Sequence, residues 1–147
     1  MIEIALYQPD IAQNTGTIAR LCACFGLPLT IIEPAGFAWT DSAFKRAGMD
    51  YLGFAKVERA DSWASFVSTS QSKRVVLLST KAELSYLDFE FAKSDVLLLG
   101  RESSGVPAEV HETVSHRILI PMQPPARSLN VALAAGIVAS EALRQLR

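Results

Sequence analysis

Only two cysteines and two histidines occur in the chain, and neither pair is spaced for chemistry of its own. Cys22 and Cys24 fall two residues apart on a predicted helix, where their side chains diverge by about 200°, so they form no disulfide with each other and read as small packing thiols. His111 and His116 are five residues apart on a short segment, not at the i, i+4 spacing of a zinc protease. They are expected at the surface, and no metal site is expected. An excess of charge is also missing: 14 Lys and Arg against 15 Asp and Glu leave a net charge of −1, so any RNA contact has to come from a local patch. With no signal peptide and no apolar run long enough to span a bilayer, the chain is expected to be soluble and cytoplasmic, with no membrane partner. G-R-E-S-S-G does not fit the nucleophile elbow G-x-S-x-G, and neither a G-x-x-x-x-G-K-S/T phosphate loop nor G-x-G-x-x-G occurs, which excludes the hydrolase and dinucleotide-binding patterns.

What the sequence does have is regular alternation. Its 147 residues suit one domain over 1–147, and a chain of this size buries roughly 70% of its unfolded surface without metal or disulfide staples. Strands are predicted at 2–7, 29–32, 55–57, 75–78, 96–99 and 117–120. Helices are predicted at 15–25, capped by Asn14 and stopped by Gly26 with Pro28, at 41–47, and at 61–68, opened by Asp61 or Ser62. Residues 85–93 read as a connection whose Tyr86, Phe89 and Phe91 cover the core. This order implies an α/β domain with a largely parallel sheet.

The last third organises the rest. V-L-L-L-G-R-E-S-S-G-V-P begins as a strand buried on both faces and turns between Gly100 and Gly105, where another group can approach the backbone closely. R-I-L-I-P-M-Q-P-P-A-R-S-L-N-V follows, with Pro121, Pro124 and Pro125 stiffening its loop and Ser128 at a natural N-cap position. The helix over 129–143 is apolar almost all round and is expected to be buried all round, in part against another subunit. Two strand ends and two loops make a crevice of the kind that binds ligands in open α/β folds, and Ser79, Thr80 and Lys81 leave a third strand end beside it.

The polar residues of these loops are Asn14, Arg20, Glu102, Ser128 and Asn130. Gly16, one turn before Arg20, is expected to leave a bare patch beside the guanidinium; a solvated surface arginine is the alternative. Glu102 either serves the crevice or favours the start of the helix near Pro107 through its charge. Phe37 and Trp39 either stack on a base or pack.

Three segments together resemble the SPOUT class of RNA methyltransferases: N-T-G-T-I-A-R at 14–20, L-G-R-E-S-S-G-V-P at 99–107 and I-P-M-Q-P-P-A-R-S-L-N-V at 120–131. With I-I-E-P-A-G-F-A-W at 31–39 and R-A-G-M-D-Y at 46–51, nearly the whole length is similar to the short members, the tRNA wobble-position cytidine/uridine 2'-O-methyltransferases. The resemblance implies S-adenosyl-L-methionine as methyl donor, a C-terminal trefoil knot and a homodimer with its active site at the interface. It implies a donor site among Leu78, Gly100, Ile120, Met122 and Ser128. It further implies that Arg20 works beside the ribose, with Asn14, Glu102 and Asn130 ordering the loops. A guanidinium is a poor proton acceptor, so holding the adjacent phosphate is the easier role for Arg20. Lys45, Arg46, Arg101 and Arg127 are the expected tRNA patch. Ribosomal RNA as substrate, or a non-catalytic RNA-binding module, are the alternatives.

Overall fold

The computed structural model describes residues 1–40, 42 and 54–147. Among them six strands form one sheet: β1 (Glu3–Tyr7), β2 (Leu29–Ile32), β3 (Val57–Ala60), β4 (Arg74–Leu78), β5 (Asp95–Leu99) and β6 (His116–Ile118), in the order β3-β2-β1-β5-β4-β6. Every neighbouring pair runs parallel. Continuous aliphatic runs explain why both faces are buried. Ile4 and Leu6 of β1 and Leu97 and Leu99 of β5 point to one core layer, and Ala5, Tyr7, Val96 and Leu98 to the other.

The described helices are α1 (Ala12–Phe25), α2 (Trp63–Thr69), α3 (Ala108–Thr113) and α4 (Val131–Gln145). Ile18, Ala19 and Cys22 of α1 and Ala135, Val138, Ala139 and Ala142 of α4 share the first layer; Phe66 of α2 and Val110 of α3 belong to the second. Phe89 and Phe91 are buried in the first layer, as expected of the connection that carries them. No helix among the described residues is long and apolar enough to cross a membrane. Of the predicted helix over 41–47 only Ser42 is described; Lys45, Arg46 and the whole R-A-G-M-D-Y segment lie outside the described residues.

Several expectations need correction. Asn14 does not cap α1: the N-cap is Ile11, without a side-chain cap, and Asn14 sits in the first turn with its side chain committed elsewhere. The cap of α4 is Asn130, not Ser128; its side-chain oxygen accepts from the N–H groups of Ala132 and Leu133 at 2.8 and 3.3 Å. β3 lies at Val57–Ala60, later than predicted. β6 ends at Ile118 because Leu119 leaves to bond Leu84 and Tyr86, its N–H on the Leu84 carbonyl and its carbonyl under the Tyr86 N–H, both at 2.9 Å. Within the chain α4 leaves Leu133 60% and Ile137 37% exposed, on the helix expected to lie in part against another subunit.

Other signals hold. Gly26 ends α1 at φ 68°, returning its N–H to Cys22, and Ser62 caps α2 by accepting from Ser65 N–H. Cys22 is buried and Cys24 exposed, and burial pushes the Cys22 thiol up to about 12. The histidines are not at the surface as expected. His116, half-buried in β6, meets the edge of Phe89 with ring centroids 5.6 Å apart, and His111 lies half-buried on α3.

Candidate active site

The strand order reverses between β1 and β5: the chain runs outward from β1 through β2 to β3 on one side, and β5, β4 and β6 fill the other. At such a switch the loops leaving the carboxyl ends diverge and leave a crevice. Here it is a cavity of about 620 Å³ lined by the ends of β4 and β5, the stretch after β6 and the first turns of α1 and α4. Leu78, Gly100, Ile120, Met122 and Ser128 all line it, and so do Asn14, Glu102 and Asn130. Arg20 does not. It stands six residues after Asn14 on α1, about 9 Å along the axis and on another face, and it is exposed. Gly16 is buried, so the bare patch expected beside Arg20 is absent.

The β5–α3 loop is shaped by its two glycines. Arg101 N–H donates to Gly105 O at 2.9 Å and Gly105 N–H to Arg101 O at 2.8 Å, closing the loop on itself. A Cβ at Gly100 would stand 2.6 Å from the Gly105 carbonyl carbon and 2.7 Å from its Cα. The close approach expected at Gly100 is therefore made by the loop's own far end. Gly105 itself has φ 67°, a conformation other residues rarely take.

Glu102, held on that loop, is tied by both oxygens. Its Oε2 accepts from Asp10 N–H at 3.0 Å and its Oε1 from the Asn14 side-chain amide at 3.4 Å. Asn14 Oδ1 in turn accepts from the Asn130 side-chain amide at 2.9 Å. Glu102 thus serves the crevice rather than the start of α3. Burial, then the neighbouring Asp10 carboxyl, push Glu102 above the usual carboxylate range. Asp10 moves the other way, held down at about 2 by its hydrogen bonds to Glu102 and Ser103, with Arg101 adding to the effect.

One feature of the crevice was not legible beforehand: His111 lines it, and its Nε2 is buried with no hydrogen-bond partner in the structure. Ser79, Thr80 and Lys81, expected beside the crevice, line it and add polar groups to the Leu78, Ile120 and Met122 walls. The segment 123–130 is exposed along its length, including Arg127, Ser128 and Asn130. Arg101 is ion-paired to Asp10 at 3.7 Å rather than turned outward as part of a free patch. Phe37 and Trp39 pack with ring centroids 5.9 Å apart; Trp39 donates its ring N–H to Glu33 and lies under the Arg59 guanidinium, 4.7 Å from it. Among the described residues no group of three or more His, Cys, Asp or Glu is arranged to hold a metal ion.

A parallel sheet with a mixed polar and apolar crevice at its switch point defines the class: an α/β protein that takes a small ligand between its strand ends. The model of the SpoU rRNA methylase family matches residues 1–140, and the chain belongs to that family. A tRNA (cytidine(34)-2'-O)-methyltransferase of Beijerinckia indica is 54% identical over 145 residues, which cover 97% of this chain and 91% of that one. A solved structure concerned with the 2-OH methylation of C/U34 on tRNA is 42% identical, covers 99% of this chain and 96% of its own, and superposes with a TM-score of 0.93. An AdoMet-bound rRNA methyltransferase from Sinorhizobium meliloti is 27% identical at a TM-score of 0.88, over 99% of this chain and 57% of that one.

Proposed function

We propose that the chain, acting as one domain over 1–147 and as a homodimer in the cytoplasm, transfers a methyl group from S-adenosyl-L-methionine to the ribose 2'-hydroxyl of the wobble cytidine or uridine of tRNA. The observation that carries this reading is the meeting of Leu78, Gly100, Ile120, Met122 and Ser128 with Asn14, Glu102 and Asn130 in one cavity. The Beijerinckia relative, 54% identical, and the tRNA C/U34 structure, 42% identical, support the substrate.

The residues fit the donor. The cavity, at about 620 Å³, lies within the range of small-molecule sites, with apolar walls for a base and with polar groups. His111, whose Nε2 is buried without a partner, is one of the residues that line that cavity. When bound, the donor supplies a methyl group on a positively charged sulfur, already a good leaving group. The protein's task is then mainly alignment. Leu78, Ile120 and Met122 hold the apolar part, and the closed Gly100–Gly105 turn presents backbone to it. Glu102 is committed by both oxygens and orders Asn14, which orders Asn130.

Arg20 enters from a second copy, where its guanidinium holds the phosphate beside the target ribose. Three observations support a second copy: Arg20 is outside the crevice of its own chain, segment 123–130 is open, and Leu133 and Ile137 stand one turn apart on the outer face of α4. Ile11 and Leu129, 42% and 38% exposed at the crevice mouth, extend that apolar face. A C-terminal trefoil knot belongs to the same reading. Its support is the path of the chain, which reaches the sheet edge at β6 and then returns to pack α4 on β5 and α1.

The test is incubation with labelled S-adenosylmethionine and RNA from cells lacking the gene. Label in tRNA, mapped to the wobble 2'-oxygen, is expected. Label in ribosomal RNA alone would keep the chemistry and change the substrate, and no label in any RNA would leave a binding module.

A further inference from the structure

Asp10, in the loop between β1 and α1, is gripped by three consecutive residues of a loop 92 positions away. Its N–H donates to Glu102 Oε2 at 3.0 Å, and its Oδ1 accepts from Glu102 N–H at 3.2 Å. Its Oδ2 accepts from the Ser103 hydroxyl and faces the Arg101 guanidinium at 3.7 Å. The loop leaving β2 closes on the same residue from a third direction. Gly36 N–H donates to Pro9 O at 2.8 Å, and a Cβ at Gly36 would stand 2.8 Å from Asp10 Cβ and 2.9 Å from its Cα. Asp10 is thus the point where the loops leaving β1, β2 and β5 meet.

A tie that served only to hold two loops together would be poorly built from two adjacent carboxyl groups, because like charges repel when both ionise. Here the carboxyl of Asp10 sets the neighbour that the crevice uses. Glu102 holds Asn14, and Asn14 holds Asn130 at the start of α4, so a displacement of Asp10 reaches all three. We propose that Asp10 is a positioning residue of this site: its reciprocal clasp fixes Glu102 against Asn14 and couples the loop after β2 to the crevice. The proposal rests on the reading of the crevice as a methyl-transfer site. The charged groups facing Glu102 and Asp10 are each other and Arg101, and His111 lines the same cavity.

Two variants of the full chain test it from opposite sides. Asp10→Ala removes both the charge and the acceptor of the Glu102 N–H; Gly36→Ala keeps every carboxylate and pushes on the Asp10 backbone. The first readout is the titration of the Glu102 carboxyl carbon by NMR, which needs no substrate. Its midpoint is expected to fall in Asp10→Ala, because the Asp10 carboxyl no longer opposes ionisation of Glu102. The second is methyl transfer, where both variants are expected to lose about tenfold to 100-fold in kcat with KM for the donor within about threefold of wild type. Folded variants that keep kcat within about twofold of wild type overturn the proposal. If the wild type itself transfers no methyl group, the reading of the site fails, and the titration alone decides the clasp: a Glu102 midpoint unmoved by Asp10→Ala overturns it.

Discussion

The side-chain amide of Asn130 donates to the side-chain oxygen of Asn14 at 2.9 Å, across 116 positions of sequence. The other end of the Asn130 side chain caps α4, so one residue both starts a helix and reaches the polar wall of the crevice. The two duties separate by substitution. Asn130→Ala removes the cap and the link, and is expected to cost about 1 kcal/mol, or about 3 °C in Tm by differential scanning calorimetry. Asn130→Asp keeps a capping oxygen but cannot donate to Asn14. It should melt near the wild type and still transfer methyl at least about tenfold more slowly.

Gly100→Ala places a methyl group against the backbone of Gly105, 2.6 Å from its carbonyl carbon. Backbone on both sides cannot give way as a flexible side chain would, so the loop must open. S-adenosylmethionine binding, followed by calorimetry, should weaken by at least about 100-fold, on the order of 3 kcal/mol. Binding at wild-type strength would separate this loop from the donor site.

Glu102 keeps its proton in the folded chain to a higher pH than the ordinary value of 4.5. A carboxyl whose folded value is raised favours the folded state while protonated; that contribution is complete below the unfolded value and is lost as pH rises through the folded one. Glu102→Gln lacks this loss. The urea midpoint of Glu102→Gln should therefore gain on that of the wild type as pH rises from 4 to 7, and a constant difference would show Glu102 to be unshifted.

Far from the crevice, Asp95 is fully buried and bound by Arg74 Nε at 2.6 Å, Arg74 Nη2 at 2.8 Å and Ala92 N–H at 2.8 Å. Arg74 also stacks over Phe89 at 5.0 Å. Arg74→Ala strands the carboxylate. Because Arg74 is itself partly exposed, the expected cost is about 2 kcal/mol in urea unfolding, below the value for a fully buried pair. Donor binding should be unchanged.

The strands were legible because aliphatic runs such as V-L-L-L at β5 leave little other use for a short segment in an α/β chain. Gly26 and Ser62 were legible because caps act within one turn. Ser128 has the side chain of a cap, but α4 begins only at Val131, so Asn130 takes that place. Asn14 looked like a cap because its side chain suits one, yet Glu102 and Asn130, brought close by the sheet, outcompete the helix start. Asp10 gave no local signal at all. Its partners lie 92 positions away, and no periodicity or motif joins a polar turn to a distant carboxylate. His111 escaped for the same reason: α3 turns it into the cavity, which its spacing from His116 does not encode.

The central claim is a crevice built by one copy and completed by Arg20 of another. Arg20→Ala and Gly100→Ala are each expected to be inactive alone, the first with donor binding intact. Mixed under conditions that exchange subunits, they should recover about a quarter of the wild-type methyl transfer to tRNA, since half the dimers are mixed and one of two sites in each is intact. No recovery in dimers that have exchanged would contradict the account and return Arg20 to its own chain or remove it from the reaction.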